Sequence, residues 1–459
     1  MKNLTLENIA AAAGGSFHGN AGDARREITE VVTDSRQASP GCLFIAIKGE
    51  RADGHSFISQ VWEKGALCVL CERQPDTESG NWILVDSTLE AIKKIARFYR
   101  DQLDIKVVGI TGSVGKTSTK EAIASVLAQK YCVLKTQGNF NNELGLPLTV
   151  FRLNESHQVA VLEMGISDFG EMHRLAEIAR PDICVITNIG QCHLENLRDR
   201  DGVCRAKTEM FDHMNPGGTV ILNGDDDKLS AIRQVQGKEP VFFGLGRECS
   251  VYGDEIRPLG LKGVSCVIHM DGRSCPVTIP IPGKHMVSNA LAAAAVGRVL
   301  GLSVEQIREG LEKLQPVGGR FRLIETDKMT IVDDCYNANP VSVKASLDVL
   351  SCAQGRKVAI LGDMFELGER ENALHESVGS HAAQVGVDLL ICVGARSRHT
   401  AEGAEKTSGC GQVMRVDTLD ELFEKLPGLL QKGDTVLVKA SHGMHFEKVI
   451  EKLVMVQQS

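Results

Sequence analysis

Gly115, Lys116 and Thr117 follow an apolar run, Val107 to Ile110, and a break at Thr111–Gly112. In that order they form the end of a loop that grips phosphate. Backbone N–H groups and the start of the next helix point at the anion, and the lysine ammonium adds positive charge. Thr117 offers a hydroxyl that holds Mg²⁺ beside the phosphates. Gly112, Ser113 and Ser118 complete the candidate cradle. Ile110 stands where the first glycine of G-x-x-x-x-G-K-[ST] belongs, with Gly109 one residue early. That changes how the chain enters the loop and leaves the gripping end intact. The helix is predicted over Ser118 to Lys130.

Other residues could do chemistry beside such a loop. Glu163 ends a predicted strand, Val159 to Leu162, parallel to the loop strand, where a carboxylate can bind Mg²⁺ directly or through water. His193 lies just beyond the predicted strand Ile183 to Ile189, on the same sheet edge. Asn139, Asn141 and Asn142 crowd four positions and read as a turn whose amides bond backbone or ligand. Arg320 sits in the hinge-like PVGGRF, placed to enter an ATP site when domains close. Asp334, Asn337, Asp363 and Ser441 lie at later strand ends. Ser35, Arg36, Lys48, Asp53 and His55 fall on polar loops of the first hundred residues, and suit a diphosphate or uridine ligand. Each of these is also, taken singly, an ordinary surface or turn residue, and Lys207 alone reads as a solvated helix residue. The segment Thr187-Asn188-Ile189-Gly190 does not match the Asn-Lys-x-Asp of guanine-nucleotide switches, which favours ATP.

The elements that must position these groups alternate strand and helix, so a mostly parallel α/β fold is expected. At 459 residues the chain is too long for one core. Three domains are predicted: residues 1–104, small and α/β; 105–316, doubly wound around the phosphate loop; and 317–459, Rossmann-like. Short strands from Val241 to Ile281 read as a peripheral antiparallel patch. The segment after Lys284-His285 reads as the helix Met286 to Leu300, with Asn289 in its first turn. Arg322–Glu325 and Thr330–Asp333 read as a hairpin. With 43% hydrophobic and 24% charged residues the chain should be globular throughout. A formal charge of −8 gives no basic face for nucleic acid. The 14 cysteines are scattered in apolar runs without zinc-ligand spacing, and read as reduced core thiols of a cytoplasmic protein. No run reaches the ~18 apolar residues of a membrane span.

The order of the motifs resembles the Mur ligases of peptidoglycan synthesis over nearly the whole chain. ITGSVGKTST, EMG and the Gly190–His193 turn are shared with that family and with folylpolyglutamate synthases. TDSRQASPGCLFIAIKGERADGHSFI, GNFNNELGLPLT, VDDCYNANPVSVKASL and LGDMFELGE are more selective. They resemble the members that add D-alanyl-D-alanine to UDP-N-acetylmuramoyl-tripeptide. The resemblance implies three domains, for the UDP substrate, for ATP, and a Rossmann-like third. It implies ATP and Mg²⁺, with phosphates on Lys116 and Thr117 and magnesium on Thr117, Glu163 and His193. Lys207, in AKTEMF, matches a lysine that becomes carbamylated in several members. Asn289 would meet adenine, Arg320 the γ-phosphate and Asp334 the ribose. Ser35, Arg36 and Lys48 would face the uridine diphosphate, with Asn139, Asn142 and Asn337 as further substrate contacts. His442, in ASHGM, stands where an arginine is common. The partners implied are the UDP-linked tripeptide and the dipeptide, in a monomer. Two rivals stand: another amide ligase of the same fold, and a nucleotide-dependent binding or switch protein without ligation.

Overall fold

The computed structural model describes residues 1–49, 52–77 and 79–455. Glu50 and Arg51, within the segment TDSRQASPGCLFIAIKGERADGHSFI, lie outside them. The fold is α/β, carried by three sheets. The chain divides into two compact units, residues 1–111, 130–185 and 206–220 in the first and 112–129, 186–205 and 221–459 in the second.

The first unit opens with the helix Leu6–Ala13. Thr5 caps its start, and Gly14, in the left-handed region, ends it. A five-strand sheet follows, in the order Ser16–His18, Asn81–Leu84, Cys68–Cys71, Leu43–Ile45, Val31–Val32. Only the first pairing is antiparallel. Strands buried on both faces should be continuously apolar, and CVLC and LFI are. Burial pushes the Cys71 thiol up to about 11, consistent with an unreactive core group. Val32, Phe44, Val69 and Trp82 pack under the helix Ile58–Glu63. The strand Val31–Val32 is short, because Asp34 turns to accept from the Arg36 N–H and starts a short 3₁₀ turn. Further along, Lys106–Thr111 pairs in parallel with Val159–Glu163, which pairs in parallel with Val133–Lys135. Asp182, just before Ile183–Ile186, accepts from the Val107 N–H at 2.9 Å and fixes that edge.

The second unit begins with the helix Lys116–Leu127, two residues earlier than the sequence suggests. Gly115 has φ +80°, so the chain turns within one residue and the helix starts at once. Val241–Gly244 is parallel to residues 221–223 and also to Val251–Pro258, so it is not part of an antiparallel patch. Its pairing with Val251–Pro258 spans two residue pairs, which lets the chain step sideways instead of turning back. The antiparallel meander is confined to Val251–Pro258, Val264–Met270 and Arg273–Ile279. The strand Ile183–Ile186 stops before the predicted Ile189 because Thr187 and Asn188 turn their side chains to the phosphate loop.

The last sheet runs Arg322–Glu325, Met329–Asp333, Asp434–Lys439, Lys357–Gly362, Leu389–Val393, Gln412–Val416. The first two strands form the expected antiparallel hairpin and the rest are parallel. Asn339 caps the helix Pro340–Ser351, with the proline at its first position. The fully buried Ile331, Ile360, Val436 and Val438 form the centre of its core.

Candidate functional site

A cavity of about 340 Å³ lies within the second unit, walled by residues 113–119 of the loop and helix. Thr187, Asn188, His285, Asn289, Arg320, Asp334, Asn337 and Lys439 are among its other lining residues. The loop is held from one side. Thr187 Oγ1 and Asn188 Nδ2 both donate to the Val114 carbonyl, at 2.7 and 3.0 Å. Asn188 Oδ1 accepts from the Val114 N–H at 3.0 Å, and the Gly190 N–H donates to Ser113 Oγ at 2.8 Å. Gly112 has φ +154°, and a Cβ there would lie 1.9 Å from Thr187 Oγ1, so only glycine fits. Lys116 Nζ donates to the Gly112 carbonyl at 2.9 Å, folding the ammonium back over the loop. These are the parts an anion site needs: a bare backbone concavity, a helix start and a cation.

The far wall comes from residues remote in sequence. Asn289 takes the Thr119 hydroxyl on Oδ1 at 3.0 Å, which fixes its amide against the loop helix. His285 begins the helix His285–Val299 one residue before the predicted start, and burial holds its ring below the ordinary histidine range, so it is a neutral wall. Arg320 places its guanidinium 4.4 Å from the centre of the Tyr336 ring. Tyr336 in turn leans on His442, ring centres 5.3 Å apart. Asp334 and Lys439 form a buried ion pair, Nζ to Oδ2 2.5 Å. Lys439 also donates to the Asn337 carbonyl at 3.0 Å, and Ser346 Oγ donates to Asp334 Oδ2 at 2.7 Å.

Of the sequence-expected nucleotide residues, Ser113, Gly115, Lys116, Thr117, Ser118, Asn289, Arg320 and Asp334 share this cavity, and so does Asn337. Gly112 braces it from the loop start. His193, also in this unit, is in the left-handed region, and its Nδ1 lies 2.9 Å from Glu366 Oε2. That contact holds the Glu366 carboxyl below its ordinary value. Lys439, His285, Thr187 and Glu366 were not singled out by sequence reasoning. Glu366 lay within LGDMFELGE, and Lys439 within the strand end beside Ser441, so the signal available was position at a strand end.

In the first unit, Glu163 is the last residue of its strand and is buried. Asn141 Nδ2 donates to its Oε1 at 2.9 Å, and Thr136 Oγ1 accepts from its backbone N–H. Asn142 Oδ1 receives the Gly145 N–H at 2.8 Å, at the start of the helix Gly145–Val150. Asn139 is exposed. Lys207 is buried on the helix Arg200–Thr208, so it is not the solvated lysine its residue type suggests. Ser35 is buried, and its carbonyl accepts from Lys64 at 2.7 Å. Arg36 grips Asp34 with two nitrogens and holds its carboxyl at about 2, while Lys48 is exposed.

A strand, a glycine-bounded loop and a helix, opening on a cavity with an arginine and a buried acid–lysine pair, define a phosphate-loop nucleotide-binding enzyme. Comparison with known proteins narrows this. Family signatures described as Mur ligase catalytic domain, middle domain and glutamate ligase domain match residues 27–100, 110–297 and 319–442. The UDP-N-acetylmuramoyl-tripeptide–D-alanyl-D-alanine ligase of Bacillus subtilis is 37% identical, with 98% of each chain covered. Among solved structures, MurF from Acinetobacter baumannii matches with a TM-score of 0.89 at 34% identity, covering 99% of both chains. The MurF ligase of Thermotoga maritima, solved in complex with ADP, matches with a TM-score of 0.82 at 30% identity, covering 94% of this chain and 98% of that one. The chain belongs to the Mur ligase family, and is an ATP-dependent ligase with that family's three-domain fold. Among the described residues no helix is long and apolar enough to cross a membrane.

Proposed function

We propose that this ligase joins D-alanyl-D-alanine to UDP-N-acetylmuramoyl-tripeptide, in the making of a cytoplasmic cell-wall precursor. The observation that carries the reading is the full-length likeness to ligases of that name, at 37% identity over 455 residues. The cavity bounded by Lys116, Arg320 and the Asp334–Lys439 pair supports ATP as the co-substrate. A carboxylate and an amine do not condense unaided in water. Transfer of the γ-phosphoryl to the tripeptide's terminal carboxylate gives an acyl phosphate and ADP. The dipeptide amine then attacks the carbonyl carbon, loses a proton, and inorganic phosphate leaves. Lys116 and Arg320 offset charge on the moving phosphoryl, which is worth most in a water-poor site.

Asn289 and Asp334 are assigned to the adenosine, with Gly112, Ser113, Gly115, Thr117 and Ser118 at the phosphates. The Asn289 amide is held by Thr119 and Met286, and the Asp334 carboxylate by Lys439 and Ser346, which supports a positioned rather than a mobile contact. Ser35, Arg36 and Lys48 are assigned to the uridine end, and Asn139, Asn142 and Asn337 to the remaining substrate. Magnesium, when bound, neutralises the phosphates. Thr117, Glu163 and His193 are its assigned ligands, and the hydroxyl and carboxylate oxygens are the donors that suit the ion. Lys207 is buried, and a carbamate on its amine is assigned from the resemblance. Functional domains over 1–104, 105–316 and 317–459, and a monomeric state, rest on the resemblance.

The test is incubation with ATP, the UDP-linked tripeptide and D-Ala-D-Ala, with product mass as the readout. ADP and phosphate should appear only when both co-substrates are present, and Lys116→Ala should abolish them. Preference for a single amino acid over the dipeptide would overturn the substrate and point to another amide ligase. ATP hydrolysis without either co-substrate would point to a nucleotide-driven binding protein.

A further inference from the structure

Two imidazoles meet on the first unit. His173 lies on the helix Glu171–Ala179, and His213 ends the 3₁₀ turn Glu209–His213. Their Nε2 atoms are 3.1 Å apart. Two nitrogens each ~2.0–2.1 Å from one ion, at a near-tetrahedral angle, would lie ~3.3 Å apart. The ring centres are only 4.4 Å apart and the planes are inclined at 68°. The rings therefore lean together with their nitrogens on a common side and do not point straight at each other. His173 Nδ1 lies 2.9 Å from Asp212 Oδ2, so a donated Nδ1–H leaves the Nε2 lone pair facing the gap. A carboxylate behind the distal nitrogen is the usual support of a ligating histidine.

The pair is held in place from below. Glu209 accepts from the Gly170 N–H at 2.9 Å, which ties the turn to the start of the helix. Met210, next in the turn, is fully buried. The nearby Arg97 guanidinium is engaged by Glu177, four residues beyond His173. We propose that His173 and His213 form a chelating site for a transition-metal dication that favours imidazole, such as Zn²⁺ or Ni²⁺. Without metal, one ring donates its Nε2–H to the other. On binding, the His213 hydrogen is carried on Nδ1 instead of Nε2, so that Nε2 ligates, the two open coordination positions being filled by water. The site belongs to neither the cavity of the second unit nor the residues assigned to magnesium, which prefers oxygen ligands.

The test is titration of the metal-stripped full chain with Zn²⁺ in saturating Mg²⁺, followed by calorimetry and by ¹⁵N resonances of the histidine rings. One site is expected, with the Nε2 resonances of His173 and His213 shifting together. His173→Gln or His213→Gln should remove it, and Asp212→Asn should weaken it roughly 10–100-fold. Far-UV circular dichroism of each variant checks that it folds. Zinc bound equally by the double His→Gln variant would place it elsewhere, as at Glu376, His399 and Glu402, and overturn the proposal. So would a wild-type titration that leaves both rings unmoved.

Discussion

The buried pair Asp334–Lys439 makes a sharp demand on mutation. Lys439→Met leaves Asp334 buried with the Ser346 hydroxyl as its side-chain donor, at 2.7 Å. Asp334→Asn leaves the Lys439 ammonium buried on the Asn337 and Asp334 carbonyls, at 3.0 and 3.3 Å. Stranding one charge of a buried pair costs about 3–5 kcal/mol, because the survivor keeps its desolvation and loses its partner. Removing both charges is far milder. The double variant should therefore be less destabilised than the sum of the singles by about 2–3 kcal/mol, the upper range for coupled neighbours. Both tryptophans, Trp62 and Trp82, belong to the first unit, so intrinsic fluorescence is the wrong readout. Amide hydrogen exchange along Met329–Asp333 and Asp434–Lys439, which pair in parallel, reports the right sheet. Single-variant losses that simply add in the double variant, within about 0.5 kcal/mol, would refute the coupling and the reasoning behind it.

Two further outcomes follow from named contacts. Gly112→Ala would put a methyl 1.9 Å from Thr187 Oγ1 and break the 2.7 Å bond from that hydroxyl to the Val114 carbonyl. Losing about 1.4 kcal/mol of loop bonding weakens ADP roughly tenfold by calorimetry, and Gly112→Ala with Thr187→Ala should regain part of it. Asp53 has its carboxyl lowered from 3.8 to about 2, chiefly by the His55 N–H and ring. A depressed carboxyl stabilises the fold above its unfolded value and loses that contribution as pH falls toward 2. Asp53→Asn should narrow the difference in stability between pH 5 and pH 2, followed by fluorescence of Trp62 and Trp82.

Much of this was legible from the chain. The phosphate loop and the hairpin at Arg322 follow from local chemistry, and local chemistry is what a sequence displays. Asp334 and Asn289 share a wall with that loop, and their convergence was available only through family resemblance. Lys439 escaped notice because its importance is a matter of one partner 105 residues away, and nothing about a lysine at a strand end announces that. The parallel pairing of Val241–Gly244 was missed for a related reason: a short apolar strand carries no mark of its direction. Lys207 shows the limit from the other side, since its burial is decided by what packs around the helix.

Val114 accepts two side-chain donors and gives its own N–H to a third group, all from the neighbouring Thr187–Asn188 turn. The arriving triphosphate therefore meets a surface whose shape is already set. Ordering a free backbone would consume about 1–2 kcal/mol of entropy per residue, and here that loss was taken when the chain folded. Capture of the nucleotide should be quick and governed by encounter, with slower events left to later steps of the cycle.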